Sequence, residues 1–382
     1  MRTVSEITLT DPDLLRDPFT GYGRAREQAA LARLVAPGFG PMWAVTRHAE
    51  ARAMLGDPRF ELNANSYQRP DVPADCLPYL RTMQETDGPE HARLRRLVAP
   101  AFSARRAGEF RPRIEPIVTG LLDAMPADGP VDLVAHFARP LPMEVICELV
   151  GIPEADRPRW REYGAAIAAG HGKAFADAIP NIVAGARAVV TEHRAEPADD
   201  LVTDLMHTED TELVTLVWHL VLAGQTPTAL IGNAVHALLT HPDQLAALRA
   251  DPGPRAVDEL IRWCGPQLLT IPRYATEDVE IDGVLISKGE PVTVAIAAAN
   301  RDPRVFADPD RLDVGRTAGP SHLGFAHGPH FCLGAPLAKV QVEIALTALL
   351  SRFPDLALVD ADVHRVPDPG NWRFAVLPVT TH

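Results

Sequence analysis

The residue best placed to do chemistry is a cysteine at the mouth of a helix. In "GFAHGPHFCLGAPLAKVQVE", residues 324–343, a glycine-rich loop sets Cys332 immediately before an amphipathic run. Backbone N–H groups and the positive end of a helix dipole favour a thiolate there, and the thiolate is the nucleophilic and metal-binding form of cysteine. Gly328 permits a tight turn, Gly334 lets the backbone approach something large and flat, and Phe325 can shield the sulfur from water. Cys76, Cys147 and Cys264 lie far apart without CxxC or CxH spacing, so neither a zinc cluster nor a disulfide framework is expected.

The second chemical feature is a proline in the middle of an apolar run, "LVLAGQTPTALIGNAV", residues 220–235. Pro227 has no N–H for the carbonyl of Ala223, and inside a helix it costs roughly 3 kcal/mol. Residues 212–240 are apolar on nearly every side, and as one helix they would reach roughly 43 Å, so they must cross the core. Asp210 or Thr208 is expected to cap the start, and Pro242 to mark the end. The carbonyl of Ala223 or a neighbour is expected to be freed to anchor a water molecule in a kinked groove.

The elements that must position these two features are mostly helices. Apolar positions recur at three- and four-residue spacing in 90–103, 111–125, 142–150, 212–240, 242–250, 254–264 and 335–353. Strands are expected at 42–46, at 278–286 with Asp282-Gly283 as a hairpin turn, and at 291–297. The fold class is therefore mainly α with a small β region, in a single domain spanning 1–382. About 1–62 and 268–300 form its β-rich part, and about 87–264 and 333–353 its helical part. A formal charge of −13 argues against nucleic acid and anionic membrane as partners. No secretory signal is visible and no run reaches the roughly 18–20 apolar residues of a membrane span, so a cytoplasmic monomer is expected.

Set in order along the chain, the motifs resemble those of one family. F-x-x-G-x-x-x-C-x-G, at Phe325, Gly328, Cys332 and Gly334, resembles the haem-binding loop of the cytochrome P450 family. Glu259 and Arg262 in "DELIR" resemble its E-x-x-R ion pair, and "PDRL" at 309–312 is similar to its P-x-R-F segment. That likeness makes Arg311 the third member of the ion-pair network, with Leu312 in place of an aromatic residue. "DGPEHARLRRLVAPAF" at 87–102 resembles the helix at one edge of the haem, in which His91 and Arg95 would meet a propionate. Arg273 in "LTIPRYA" and His330 in the cysteine loop would be further propionate partners. The resemblance runs from about Asp17 to Val379, and it is to the soluble bacterial members that tailor natural products, as in antibiotic biosynthesis.

The resemblance implies a long central helix over the distal face of haem b (iron protoporphyrin IX), with Cys332 as the iron's thiolate ligand. It implies oxidation with dioxygen and electrons from NAD(P)H. Because no GxGxxG fingerprint is present, those electrons would arrive through an external ferredoxin and ferredoxin reductase. Arg93, Arg96, Arg105, Arg106 and Lys339 are the residues expected to steer the ferredoxin.

"AGQTPT" resembles the distal-helix segment A-G-x-[DE]-T-[TS]. Ala223 and Gly224 match and would leave room for dioxygen. Thr226 stands where the family has an acid, Pro227 where it has a threonine, and Thr228 follows one position later. Gln225, Thr226 and Thr228 are therefore the candidates for proton delivery. Monooxygenation by hydroxylation or epoxidation is the implied reaction. Oxidative C–C or C–N coupling or desaturation of an aromatic or cyclodipeptide substrate is the alternative, and a non-catalytic ligand sensor a remote third. Pocket candidates, by position in the resembling fold, are Asn65, Gln68, Met83, Thr86, Trp218, His219, Leu222, Leu268, Leu269 and Trp372. Of these, Asn65, Gln68 and His219 can hydrogen-bond a substrate and Trp218 and Trp372 can stack on one. A compact aromatic or peptide-derived natural product is the expected ligand.

Overall fold

The computed structural model describes residues 4–67, 70–126, 129–168, 173–317, 319, 321–359 and 363–381. Its strands in chain order are β1 (Ser5–Thr8), β2 (Leu31–Ala36), β3 (Phe39–Val45), β4 (Phe60–Glu61), β5 (Val131–Asp132), β6 (Arg273–Ala275), β7 (Val279–Ile281), β8 (Val284–Ile286), β9 (Pro291–Val294), β10 (Ala357–Leu358), β11 (His364–Arg365), β12 (Phe374–Val376) and β13 (Pro378–Thr380). One six-stranded mixed sheet runs β1-β2-β3-β9-β6-β4 and so joins the N-terminal segment to residues 273–294. The β7–β8 hairpin turns on Asp282 and Gly283, both at positive φ (47° and 77°), as an Asp-Gly turn of the twist-matched type requires. The strand expected at 291–297 stops at Val294 and is followed by a short helix.

The helices are α1 (Pro12–Arg16), α2 (Pro18–Gln28), α3 (His48–Gly56), α4 (Gly88–Val98), α5 (Ala104–Glu109), α6 (Arg111–Asp123), α7 (Pro140–Val150), α8 (Arg157–Ala168), α9 (Lys173–Ala195), α10 (Leu201–Asp204), α11 (Asp210–Ala223), α12 (Pro227–Thr240), α13 (Pro242–Ala250), α14 (Pro254–Cys264), α15 (Ile296–Ala299) and α16 (Ala335–Arg352). Proline stands in the first turn of many of them, where its fixed φ suits the helix and its missing N–H breaks no bond. Helices α8 and α9 have no counterpart among the expected elements. Their alanine-rich sequence blurs the apolar period, and Pro180 falls inside α9.

The central apolar run is two helices rather than one. α11 packs on α7 and α9, and α12 on α14 and α16, so both lie in the largest apolar cluster. Glu209, not Asp210 or Thr208, caps α11 by accepting from the N–H of Glu212, because the helix begins one residue after it. Contrary to the sequence expectation, Asp210–Thr240 is long and apolar enough to cross a membrane, with a mean hydropathy of 1.3. However, 61% of that window is buried inside the protein.

α14 is tied to the chain that follows it by a buried ion pair. Arg262 donates from Nε and Nη2 to the two Glu259 carboxylate oxygens at 2.7 and 2.8 Å, and from Nη1 to the carbonyls of Asn300 and Pro309. The third cation is Arg316, whose Nε donates to Glu259 Oε2 at 3.1 Å. Arg311, the sequence expectation for that place, is exposed and offers only its backbone carbonyl, to Arg262 and Arg316. The chain turns at 308–316 so that the later arginine, not the earlier one, reaches the carboxylate. Glu259→Ala leaves Arg262 a buried charge without its partner and is expected to cost about 3–5 kcal/mol in urea unfolding. Arg311→Ala is expected to stay within about 0.5 kcal/mol of wild type in the same measurement.

Candidate active site

The cysteine loop is built by close backbone contacts. Gly328 has φ +75°, and a Cβ on it would lie 2.6 Å from the carbonyl oxygen of Leu55 in α3, so both its conformation and its neighbour require glycine. The N–H of Cys332 donates to the carbonyl of Phe325 at 2.9 Å, which closes the loop just before α16. Phe325 stands edge-on to Phe331 at 6.2 Å. Cys332 and Phe331 are exposed, and a Cβ on Gly334 would meet no atom within 4 Å. Cys332 is therefore reachable from outside the loop. Although the residue reaches solvent, the protein packed around its sulfur pushes the Cys332 thiol up, against hydrogen bonds from the Gly334 and Ala335 N–H groups and the charge of Arg95. The helix terminus by itself does not make the thiolate that the sequence suggested; a metal cation at the sulfur would.

The α11–α12 break also opens to solvent, although it lies between two buried helices. Ala223 and Thr226 are exposed, whereas Leu220, Val221, Leu222 and Pro227 are buried. Pro227 occupies the first position of α12, so the helix-interior penalty does not arise. The carbonyl of Ala223 is not free as expected: it accepts from Thr226 Oγ1 at 3.0 Å and from the Thr226 N–H at 3.5 Å.

Two further expectations at the break change. A Cβ on Gly224 would lie 2.5 Å from Cγ1 and 2.7 Å from Cβ of Ile146. This glycine serves the close packing of α7 rather than making room in the cleft. The amide of Gln225 lies against Gly164 of α8, where an added Cβ would come within 2.2 Å of Gln225 Oε1. Gln225 is thus turned toward α8, and Thr228 is half-buried within α12.

At one edge of the cysteine loop, cationic groups gather around an acid that the sequence reading left out. The ligand atoms of Asp87, His91 and His330 all lie within 4.8 Å of one another. The His91 and His330 rings stack at 3.9 Å, and His330 Nε2 stands 3.2 Å from Asp87 Oδ2. Although its own burial pulls the other way, the His330 imidazole and the Gly88 and Leu62 N–H groups hold the Asp87 carboxyl down to about 2. Burial, then His330 and Arg95, push His91 down to about 4. Arg95 donates to the carbonyl of Phe331 in the loop, and buried Arg273 donates to the carbonyl of Leu55 at 2.7 Å. Asp87 was legible as the residue before the Gly-Pro that starts α4, because it accepts from the Gly88 N–H.

The family model described as cytochrome P450 matches residues 254–378. The chain is 41% identical over 361 residues to the cytochrome P450 monooxygenase PikC of Streptomyces venezuelae, covering 91% of this chain and 86% of that protein. It is 42% identical over 352 residues to the mycinamicin IV hydroxylase/epoxidase of Micromonospora griseorubida, covering 88% of each. The chain belongs to the cytochrome P450 family. The solved structure of the P450 PksS of the Bacillus subtilis bacillaene synthase superposes with a TM-score of 0.89 at 32% identity, covering 98% of this chain and 99% of that one.

The residues of this P450 fit a haem. The exposed Cys332 offers a sulfur donor, a Cβ on Gly334 would meet no atom on the approach beside it, and His91, Arg95, Arg273 and His330 offer N–H groups, two of them on guanidinium cations, of the kind that two carboxylates would need as partners.

The pocket candidates divide. Met83 and Thr86 are buried, with the Thr86 hydroxyl donating to the carbonyl of Met83. Asn65 is exposed, and Gln68 lies outside the described residues. Leu222 and Leu268 are buried and Leu269 is half-buried. The two tryptophans expected to stack on a ligand are engaged by the protein itself. Trp218 Nε1 donates to the carbonyl of Tyr79 at 3.1 Å, and Trp372 is edge-on to Phe19 with the Arg365 guanidinium 3.7 Å from its ring centre.

The packing of Gln225 on Gly164 can be tested directly. Gly164→Ala is expected to cost about 1–3 kcal/mol in denaturant unfolding. Most of that loss is expected to return in the Gly164→Ala, Gln225→Ala double variant, since the obstructing atoms all belong to the far end of one flexible side chain.

Proposed function

We propose that Cys332 holds haem b as its thiolate ligand and that the whole chain works as one monooxygenase unit, hydroxylating or epoxidising a natural product. The observation that carries this reading is the exposure of Cys332 and of Ala223 and Thr226, in a fold whose central helices are otherwise buried. When bound, a thiolate-ligated haem supplies the iron at which dioxygen is reduced and its O–O bond broken. His91, Arg95, Arg273 and His330 hold the propionates. Phe325 and Phe331 pack the loop so that the sulfur keeps its position.

The chain must still bring protons into the cleft, and its geometry favours Thr226. Its hydroxyl hydrogen is directed to the carbonyl of Ala223 at 3.0 Å, which leaves the oxygen's lone pairs to accept from a water in the cleft. Thr226 thus keeps its own proton directed at the Ala223 carbonyl and orients the water, whose second hydrogen is the one left to be delivered. Gln225 is turned to α8 and Pro227 has no donor, so neither competes for this role.

The electrons come from NAD(P)H through an external ferredoxin and its reductase in the cytoplasm. Of the five basic residues expected to meet the ferredoxin, Arg93 pairs with Glu212, Arg105 and Arg106 with Glu109, and Lys339 with Asp258. Arg96 is exposed and makes no ion pair among the described residues, which makes it the first contact for an acidic partner. Exposed pairs of the others are weak enough to exchange.

Cys332→Ser is expected to abolish the red-shifted ferrous carbon monoxide band of the reconstituted protein; a retained band would overturn the ligand assignment. With surrogate ferredoxin and reductase, mass analysis of product from an accepted natural product should show one added oxygen atom. Joined molecules or the loss of two hydrogens would instead establish coupling or desaturation. Thr226→Ala is expected to lower product per NADPH by about tenfold, with hydrogen peroxide rising to match, less than the roughly hundredfold of a group that transfers the proton itself because Thr226 only orients the water. Thr228→Ala should change the ratio far less.

A further inference from the structure

Asp258 and Glu259 are adjacent acids on α14 that face different partners. Glu259 is buried against Arg262 and Arg316, whereas Asp258 is half-buried and meets the segment that leads into the cysteine loop. Asp258 Oδ1 stands 3.2 Å from His322 Nε2 and also pairs with Lys339 Nζ of α16. The His322 side chain is only 9% exposed, and the N–H of Gly324 donates to its Nδ1 at 3.1 Å. A backbone N–H can only donate, so Nδ1 carries the lone pair and the ring proton sits on Nε2, which gives it to Asp258. Although its own burial pulls the other way, hydrogen bonds from His322 and Lys339 hold the Asp258 carboxyl below the usual carboxylate range.

The turn that this ring braces is strained. Ala326 has φ +58°, a left-handed conformation that is unfavourable for a residue with a Cβ, and its N–H closes the turn on the carbonyl of Leu323 at 2.9 Å. Beside it, Phe325 offers its carbonyl to the Cys332 N–H at 2.9 Å. Its ring lies tilted to that of His322 at 5.6 Å, with Lys339 Nζ 5.9 Å from its centre. Hydrogen bonds thus run from Asp258 through His322 to Gly324, and the next residue holds the Cys332 amide.

We propose that Asp258 is a positioning residue for Cys332: it orients His322, His322 fixes the Gly324–Phe325 backbone, and that backbone sets where the cysteine stands. The consequence at the iron rests on the reading of Cys332 as the haem ligand. A loosened loop admits water to the sulfur. A thiolate that accepts a further hydrogen bond gives less charge to the iron, which is then more easily reduced.

The test uses the haem-loaded full chain as wild type, Asp258→Ala, Asp258→Asn and His322→Leu. Asparagine keeps an acceptor for His322 without the charge, and leucine removes the ring's hydrogen bonds without removing a charge. Hydrogen exchange at the Gly324 and Cys332 amides is expected to quicken about tenfold in the Ala and Leu variants, the worth of one hydrogen bond to a charged group, and to stay within about twofold of wild type in the Asn variant. Amides at the centre of α12 should exchange alike in all four, which marks the fold as intact. At one fixed potential the ferrous-to-ferric ratio, read from absorbance, should rise roughly fivefold in the Ala and Leu variants.

Unchanged exchange at both amides in the Ala and Leu variants would overturn the proposal. So would an Asn variant that matches the Ala variant, since the charge and not the hydrogen bond would then be responsible. Quickened exchange with an unchanged ratio would confine Asp258 to holding the loop and overturn its part in setting the sulfur. Failure of the wild type to bind haem would overturn the reading of Cys332 as ligand, and amide exchange alone would then decide whether Asp258 positions the loop.

Discussion

The structure depends on one constraint: an apolar helix line through the core must open to a reactive cleft at a single turn without losing its packing. A continuous helix would present a closed backbone there. This chain ends α11 at Ala223, passes through Gly224, Gln225 and Thr226, and restarts at Pro227. Each residue of the break answers a different neighbour. Gly224 admits Ile146, Gln225 lies on Gly164, and Thr226 caps the carbonyl that Pro227 cannot serve. The break is therefore held by packing and by one side-chain cap rather than by strain.

The same division accounts for what could be read in the sequence. Local rules sufficed for the cysteine loop, the Asp-Gly hairpin and most helix boundaries, because caps, prolines and apolar spacing act within a few residues. They also located the break, since a proline inside an apolar run permits little else. They failed where the decisive neighbour is distant in sequence. Gly224 reads as a space-making residue until Ile146 is placed beside it, and Gln225 reads as a candidate in the cleft until Gly164 is seen beneath it. Arg311 and Arg316 both follow the proline of the 309 segment, and only the fold of 308–316 decides which one reaches Glu259.

The two tryptophans show the limit from another side. Trp218 and Trp372 were attractive as ligand-stacking residues because large aromatic side chains often line pockets. In the fold they are fastened to Tyr79 and to Phe19 and Arg365, and they shape the walls from behind. The sequence identifies such residues as important, but whether an aromatic face is turned to ligand or to protein follows largely from contacts, such as those with Tyr79 and Phe19, made over 100 residues away.

The cysteine and the distal break share a physical logic. At each, burial acts against the polar group that chemistry needs: it raises the Cys332 thiol and it strips His219 of partners. At the sulfur, two backbone N–H groups and Arg95 offset part of that cost, and a metal cation would supply the remainder. At His219 no group among the described residues offsets it. A site of this kind is therefore stable in its apolar parts and unsatisfied in its polar ones. Each polar group buried without a partner lowers stability by its lost hydration, so these are the places where the fold gives up stability that an apolar side chain would keep.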